Sequence, residues 1–392
     1  MQSTRLICKT RIRTACHDAR GMSSSSARAP SLAILDDYLD MSGPHFKHIS
    51  SSKLNIDTFS NTIHPVTPVE IDRLAARLNQ YELISTIRER TPFQAPLLRK
   101  LPNLKLLLAT GTQFEMFDLK AAQEFGITVV AAPGLGRTDA GPAQKRGTNI
   151  KKGGSHPTTQ HTWALILSLA RNIAADDAAL KSTSGWQTGP AIGLTGKTLG
   201  VVGLGRLGAA VAKIGYLAFG MRIVCWSANL TQDKADQMAR NIGLPVEEDG
   251  QRVFQAVSKE ELLKSSDVIS MHYVLSERSR GIIAAPELAL MKKSALLVNT
   301  SRGPLIDQMS LVEALENGRI RGAAIDVFET EPLPLESPWR RAGYWGADGR
   351  SRLVTTPHMG YVDEGLMNAW YGETAENVER YLDGREVLHR LA

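Results

Sequence analysis

Three residues have the types and settings of a proton-transfer site. Arg302, Glu331 and His358 each follow a short apolar run: "ALLVNTSRGPLID" (295–307), "GAAIDVFETEPLP" (322–334) and "LVTTPHMG" (353–360). Such runs read as buried strands of a parallel sheet, which deliver the residues beyond them to one crevice. Arginine binds a planar carboxylate through two hydrogen bonds and stays charged at any working pH. Histidine gives and takes a proton near neutrality. A carboxylate behind it fixes the imidazole tautomer and stabilises its charged form. Alone, each residue would read as an ordinary surface group. Three of them at strand ends of one domain read as a site.

That domain also carries a nucleotide fingerprint. "KTLGVVGLGRLGAAVAKIGYLAFGMRIVCWS" holds Gly203, Gly205 and Gly208 as G-x-G-x-x-G, with an apolar run before it and a small-residue helix after it. In a βαβ unit the first glycine permits the tight turn. The second lets backbone approach a pyrophosphate, and the third lets the helix pack on the strand. Gly203, Gly205, Arg206, Leu207 and Gly208 are therefore candidate cofactor contacts. Nineteen residues beyond Gly208 the second strand ends at Ser227, where an acidic residue would hold the ribose of NAD. Serine removes the repulsion of a 2′-phosphate without supplying a cation. Asn229 and Arg206 are nearby polar groups, so NADP is permitted and not required; the alternative is that Ser227 and Asn229 only form a turn.

The elements that must hold these residues alternate. "SLAILDDYLD" (31–40), "YELISTIRERT" (81–91), "LPNLKLLLATGT" (101–112) and "FGITVVAAPG" (125–134) each contain a short apolar strand, and Ile71, Leu74 and Leu78 fall at helical spacing between them. "PTTQHTWALILSLARNIAADDAAL" (157–180) reads as one long helix with Leu165, Leu169 and Ile173 on one face. A second α/β series runs from "GKTLGVVGLG" to "RLVTTPH", and an amphipathic helix over 363–384 stops at Gly384. The expected fold is α/β, with two Rossmann-like doubly wound parallel-sheet domains, the cofactor domain inserted into the substrate domain. Residues 29–160 and 356–392 form the substrate domain and 161–355 the cofactor domain. Residues 134–154, rich in Gly, Lys and Arg, read as a flexible surface loop, with an anion clamp as the alternative.

Composition limits the function classes. Residues 1–28 carry a net +5 and residues 134–154 a net +4, so the formal +6 of the chain leaves −3 for the remainder. The folded body gives no electrostatic reason to expect nucleic-acid binding. The longest apolar stretches, such as "WALILSLA" (163–170), are too short to span a bilayer. Three cysteines, two of them at Cys8 and Cys16, suit a reducing intracellular compartment. The first 28 residues have the composition of a mitochondrial transit peptide or of a disordered basic tail, with Met22 as a second possible start. The expected setting is cytoplasmic or mitochondrial.

The chain resembles the D-isomer-specific 2-hydroxyacid dehydrogenases over roughly residues 31–390. The likeness rests on "LPNLKLLLATGT", "GLGRLG", "MKKSALLVNTSRG", "DVFETEP" and "TPHMG", in that order. The resemblance implies that Arg302 binds the substrate carboxylate, His358 is the acid/base and Glu331 orients it. It puts backbone at Gly111 over the substrate, and His272, Thr300 and Asp326 among the cofactor contacts. Glutamine in place of Glu331 would be expected in the formate dehydrogenase branch. The implied activity interconverts a 2-oxo acid and a D-2-hydroxy acid with NAD or NADP, in a homodimer, with the 157–180 helix and the last helix as hinge.

Two readings stand beside it. One is phosphoglycerate dehydrogenase, which normally carries a regulatory extension. The other, from a different class, is a nucleotide-sensing corepressor-like protein with little turnover. His161 is expected to pack where the family often has an acidic residue, and His156 to lie in a loop. The 134–154 loop and the 335–352 connection are longer than the family pattern. Either is expected to impair catalysis if it displaces the crevice.

Overall fold

The computed structural model describes residues 28–88, 90–111, 114–139, 156–182 and 185–392. The basic tail up to residue 27 and most of the 134–154 loop lie outside the described residues.

The first sheet contains β1 (Ser31–Leu35), β2 (Asn55–Phe59), β3 (Leu83–Thr86), β4 (Leu106–Thr110) and β5 (Thr128–Ala132), in the order β2-β1-β3-β4-β5, all parallel. The central strands are buried on both faces, which is why they read as unbroken apolar runs. The helix Pro68–Leu78 starts in a capping box: Thr67 Oγ1 accepts from the Glu70 N–H, and Glu70 accepts from the Thr67 N–H at 2.8 Å. Leu74 and Leu78 are buried beneath it.

The second sheet contains β6 (Thr198–Val202), β7 (Arg222–Trp226), β10 (Gln255–Ala256), β11 (Val268–Met271), β12 (Leu296–Asn299), β13 (Gly322–Ile325) and β14 (Arg352–Thr355). Its order is β10-β7-β6-β11-β12-β13-β14, again parallel. Counted within this unit, the first six strands follow the 3-2-1-4-5-6 order of dinucleotide-binding sheets. A separate two-residue hairpin pairs β8 (Glu247–Glu248) with β9 (Gln251–Arg252). The terminal helix Glu364–Leu382 returns to the first unit and packs on β4 and β5. The second α/β unit is thus inserted into the first.

Three expectations need correction. The 157–180 segment is two helices, Pro157–Ala170 and Ile173–Lys181, because Asn172 adopts the left-handed conformation at φ 58°. The break turns Ile173 outward, 55% exposed, so it does not share the buried face of Leu165 and Leu169. The expected boundary at 160/161 falls inside the Pro157–Ala170 helix, which packs against β12, β13 and β14. The start of the 134–154 loop is pinned: the N–H groups of Gly134, Leu135 and Gly136 all donate to the Glu373 carboxylate, and Arg137 donates to Glu379.

Candidate active site

His358 and Glu331 meet. His358 Nδ1 lies 2.5 Å from Glu331 Oε2, while Glu331 Oε1 accepts the Phe328 N–H at 2.8 Å. An ionised carboxylate only accepts, so this pairing places the imidazole proton on Nδ1. Nε2 is then the nitrogen that can exchange a proton with a bound molecule. His358 sits at φ 55°, a conformation a side-chain-bearing residue keeps only when its surroundings enforce it. Its N–H donates to the Asp326 carbonyl at 2.7 Å.

Asp326 does more to that turn. Its fully buried carboxylate accepts from the N–H groups of Met359 (2.7 Å) and Gly360 (2.9 Å), from Thr356 Oγ1 (2.6 Å), and contacts His161 Nε2 at 3.1 Å. Both oxygens are therefore committed to the chain around His358. This departs from the expectation of a cofactor contact: burial and four protein partners fit a residue that positions His358. His161, expected only to pack, bridges Asp326 and Thr356 Oγ1 (3.0 Å) from the neighbouring helix.

Arg302 leaves the sheet three residues after β12. Asn299 Nδ2 donates to the Arg302 carbonyl at 2.9 Å, and Asn299 Oδ1 accepts the Ser301 N–H at 3.1 Å, so one asparagine braces the turn. Thr300 shares a 2.7 Å hydroxyl–hydroxyl hydrogen bond with Thr162.

The residues at the first βα turn fit a pyrophosphate. Gly203 has φ 100°, and a Cβ there would lie 2.5 Å from the His272 carbonyl oxygen. A Cβ on Gly208 would lie 2.1 Å from the Gly203 carbonyl oxygen. One on Gly205 would meet nothing within 4 Å, so the space beside it is open. The helix Arg206–Phe219 starts there with its N–H groups toward that space. His272 is held by a 2.8 Å hydrogen bond between Nε2 and Ser270 Oγ, and burial pushes its pKa down to about 4. It is a neutral wall residue.

One cleft of about 660 Å³ gathers most of the expected residues. Gly111, Thr300, Arg302 and His358 line it together with Arg206, Leu207 and His272. Glu331 stands behind the His358 ring. Ser227, just past the end of β7, is not among its lining residues. Two basic cleft residues were missed. Arg88 follows β3 at φ 52°, lies against Gly111 and stacks over the rings of Tyr361 (5.0 Å) and Trp370 (5.7 Å). His156, expected in a loop, caps the Pro157–Ala170 helix and lines the cleft; burial, then Arg206 and Arg88, lower its pKa to about 4. A strand-end arginine in "IRER" was a readable signal; His156 offered none. The 335–352 connection does not fill the crevice. It forms one wall of an adjoining chamber. Among the described residues, no group of three His, Cys, Asp or Glu could hold a metal ion, and no helix is long and apolar enough to cross a membrane.

Residues 163–360 match the model of the D-isomer specific 2-hydroxyacid dehydrogenase NAD-binding domain. The chain belongs to the D-isomer specific 2-hydroxyacid dehydrogenase family. It is 36% identical to a glyoxylate reductase of Aeropyrum pernix over 74% of this chain and 76% of that protein. It is 31% identical to a D-3-phosphoglycerate dehydrogenase of Bacillus subtilis over 78% of this chain, and spans about half (50%) of that relative's length. Among solved structures, a phosphoglycerate oxidoreductase of Vibrio cholerae is similar with a TM-score of 0.71 at 28% identity, covering 91% of this chain and 99% of that one. The family's NAD-binding domain contains the glycine turn, Arg302, Glu331 and His358.

Proposed function

We propose that this chain is an NAD(P)-dependent oxidoreductase that interconverts a 2-oxo acid and its D-2-hydroxy acid. The observation that carries the reading is the 2.5 Å His358–Glu331 pair, with His358 and Arg302 lining one cleft together with Arg206 and Leu207 of the glycine turn. Arg302 holds the substrate carboxylate and so fixes which face of C2 is presented. His358, protonated and supported by Glu331, donates from Nε2 to the C2 oxygen as negative charge builds there; in the reverse direction the same nitrogen takes the hydroxyl proton. Backbone at Gly111 and the Arg88 side chain border the substrate from the first unit. When bound, the reduced nicotinamide supplies the hydride. Arg206, Leu207, His272 and Thr300 line its side of the cleft. Closure of the two units over the substrate excludes water, and the turn at Asn172 together with the last helix is where the chain can flex.

Support for a working enzyme over a nucleotide sensor is the complete proton-transfer set, each member held by its own hydrogen bonds. We further propose a homodimer and an intracellular setting, in the cytoplasm or mitochondrion. The test follows nicotinamide absorbance as NADH and NADPH are consumed with a panel of 2-oxo acids. Consumption that is lost in His358→Ala with nucleotide binding retained supports the enzyme. Nucleotide binding with no consumption for any acid refutes it. A clear NADPH preference that Ser227→Asp moves toward NADH assigns coenzyme choice to that position.

A further inference from the structure

Arg302 and His358 also line a second chamber, joined there by Glu331; it is larger than the first, at about 1020 Å³. The side of it remote from the first unit is built by the segment between β13 and β14 that lengthens the family pattern. That segment is anchored. Trp339 is buried and donates its indole N–H to Gln308 Oε1 at 3.1 Å. Arg340 donates to the carbonyls of Pro334 (2.9 Å) and Leu333 (2.7 Å), and Arg341 pairs with Glu316 at 2.8 Å. Trp345 stacks with Trp339 at 6.2 Å and meets Tyr344 edge-on at 5.0 Å.

Much of the chamber's wall is apolar and aromatic, beside a charged set that includes Arg90, Glu329, Arg340 and Arg341. Met116, Phe328, Leu333, Trp339, Trp345 and Leu353 line it. Several of its charged side chains already hold partners: Arg341 pairs with the Glu316 carboxylate, Arg340 donates to two backbone carbonyls, Arg90 lies over the Tyr38 ring at 4.0 Å, and Glu331 is bonded to His358. The Trp345 indole N–H is buried and has no acceptor among the described residues. A two- or three-carbon acid held by Arg302 would leave most of this volume unfilled, since pockets of this order enclose much larger ligands.

We infer that the second chamber receives the substrate's side chain, and that the substrate is a 2-oxo acid with a bulky aromatic group on C3, such as phenyl or indolyl. This rests on the dehydrogenase reading above and names its substrate class. The reaction balances as before: C2 gains hydride from the reduced nicotinamide, which is oxidised, and the C2 oxygen gains the proton His358 gives up.

The experiment compares kcat/KM for glyoxylate, pyruvate, a phosphorylated three-carbon oxo acid, phenylpyruvate and indolepyruvate, using the full chain and both cofactors. One methylene in an apolar pocket changes discrimination by about tenfold or more, so phenylpyruvate or indolepyruvate is expected to exceed pyruvate by at least about tenfold. Ala342→Trp fills the chamber from a solvent-exposed position. It is expected to lower the phenylpyruvate-to-pyruvate ratio at least about tenfold, with thermal midpoint and nucleotide Kd measured alongside. Preference for glyoxylate or for the phosphorylated acid, or an unchanged ratio in a folded, nucleotide-binding Ala342→Trp, overturns the assignment and leaves the dehydrogenase standing. Consumption of neither cofactor with any acid overturns both.

Discussion

Replacing Glu331 by glutamine tests the proton-transfer pair with almost no change in volume. The charge effect can be bounded. Two unit charges about 4 Å apart interact by about 4 kcal/mol at an effective dielectric near 20. The Glu331 side chain is 30% exposed and that of His358 13%, so solvent screening reduces this to about 2 kcal/mol, or about thirtyfold in rate. A second effect adds to it. The Phe328 N–H still requires an acceptor, so the amide oxygen of the substituted side chain would take the Oε1 place and its NH2 would face His358 Nδ1. Nδ1 must then accept, and the neutral ring carries its proton on Nε2. That tautomer cannot take a proton from the substrate hydroxyl and gives one up only by becoming imidazolate. Together the effects fall in the range for loss of general acid–base catalysis, about 10² to 10⁴ in kcat/KM. The assay is steady-state reduction and oxidation with the preferred acid, with nucleotide Kd and thermal midpoint as controls. A Glu331→Gln enzyme within about threefold of the parent in both directions would refute the pairing as the source of proton transfer.

Three other outcomes follow from the same geometry. Gly205→Ala meets no atoms of the folded chain, so it should weaken nucleotide binding about tenfold or more while leaving the ligand-free thermal midpoint unchanged; Gly203→Ala, strained at φ 100° and abutting the His272 carbonyl, should lower that midpoint as well. His272 has a folded pKa near 4 against an ordinary 6.5, so the unfolded chain binds the extra proton between those values. Its contribution is full above about pH 6.5 and is lost as pH falls toward 4, by up to about 3 kcal/mol. Urea titrations across that window should show a shallower pH dependence in His272→Gln. Asp326→Ala leaves the Met359 and Gly360 N–H groups without their acceptor, and should cost about 3 kcal/mol in denaturant unfolding and depress kcat by releasing His358; an active, equally stable variant would deny Asp326 its positioning role.

Where a residue's type was dictated by local sterics, the sequence could be read. The glycine turn was legible because 203 and 208 admit no Cβ, and the buried strands because both faces are covered. β2 was not legible: "NIDTF" lies at a sheet edge, mostly exposed, so it shows no apolar run. The break at Asn172 was hidden by the continuous alanine and leucine content around it. Arg88, His156 and His161 owe their places to convergence. Arg88 meets Tyr361 and Trp370, and His161 meets Asp326, across long sequence separations that no local pattern encodes. The 335–352 segment was visible only as extra length, because whether an insertion blocks a crevice or walls it depends on what anchors it.

The placement of the proton-transfer set reduces to register. In the pairing of β12, β13 and β14, Asn299 is beside Ile325, and Ile325 is beside Thr355. Arg302 follows Asn299 by three residues, Asp326 follows Ile325 by one, and His358 follows Thr355 by three. The three strands therefore end level with one another and release their polar residues at one height above the sheet. A slip of one residue would move a strand by about 3.3 Å and turn its side chains to the opposite face. The 2.5 Å His358–Glu331 contact and the Asp326 bonds to Met359 and Gly360 could not survive such a shift. What keeps the register is the apolar face: Leu297, Ala323 and Ile325 are buried in one core cluster, and Leu296, Val298 and Ala324 in the other. The residues that never touch a substrate thus determine where the ones that do can stand.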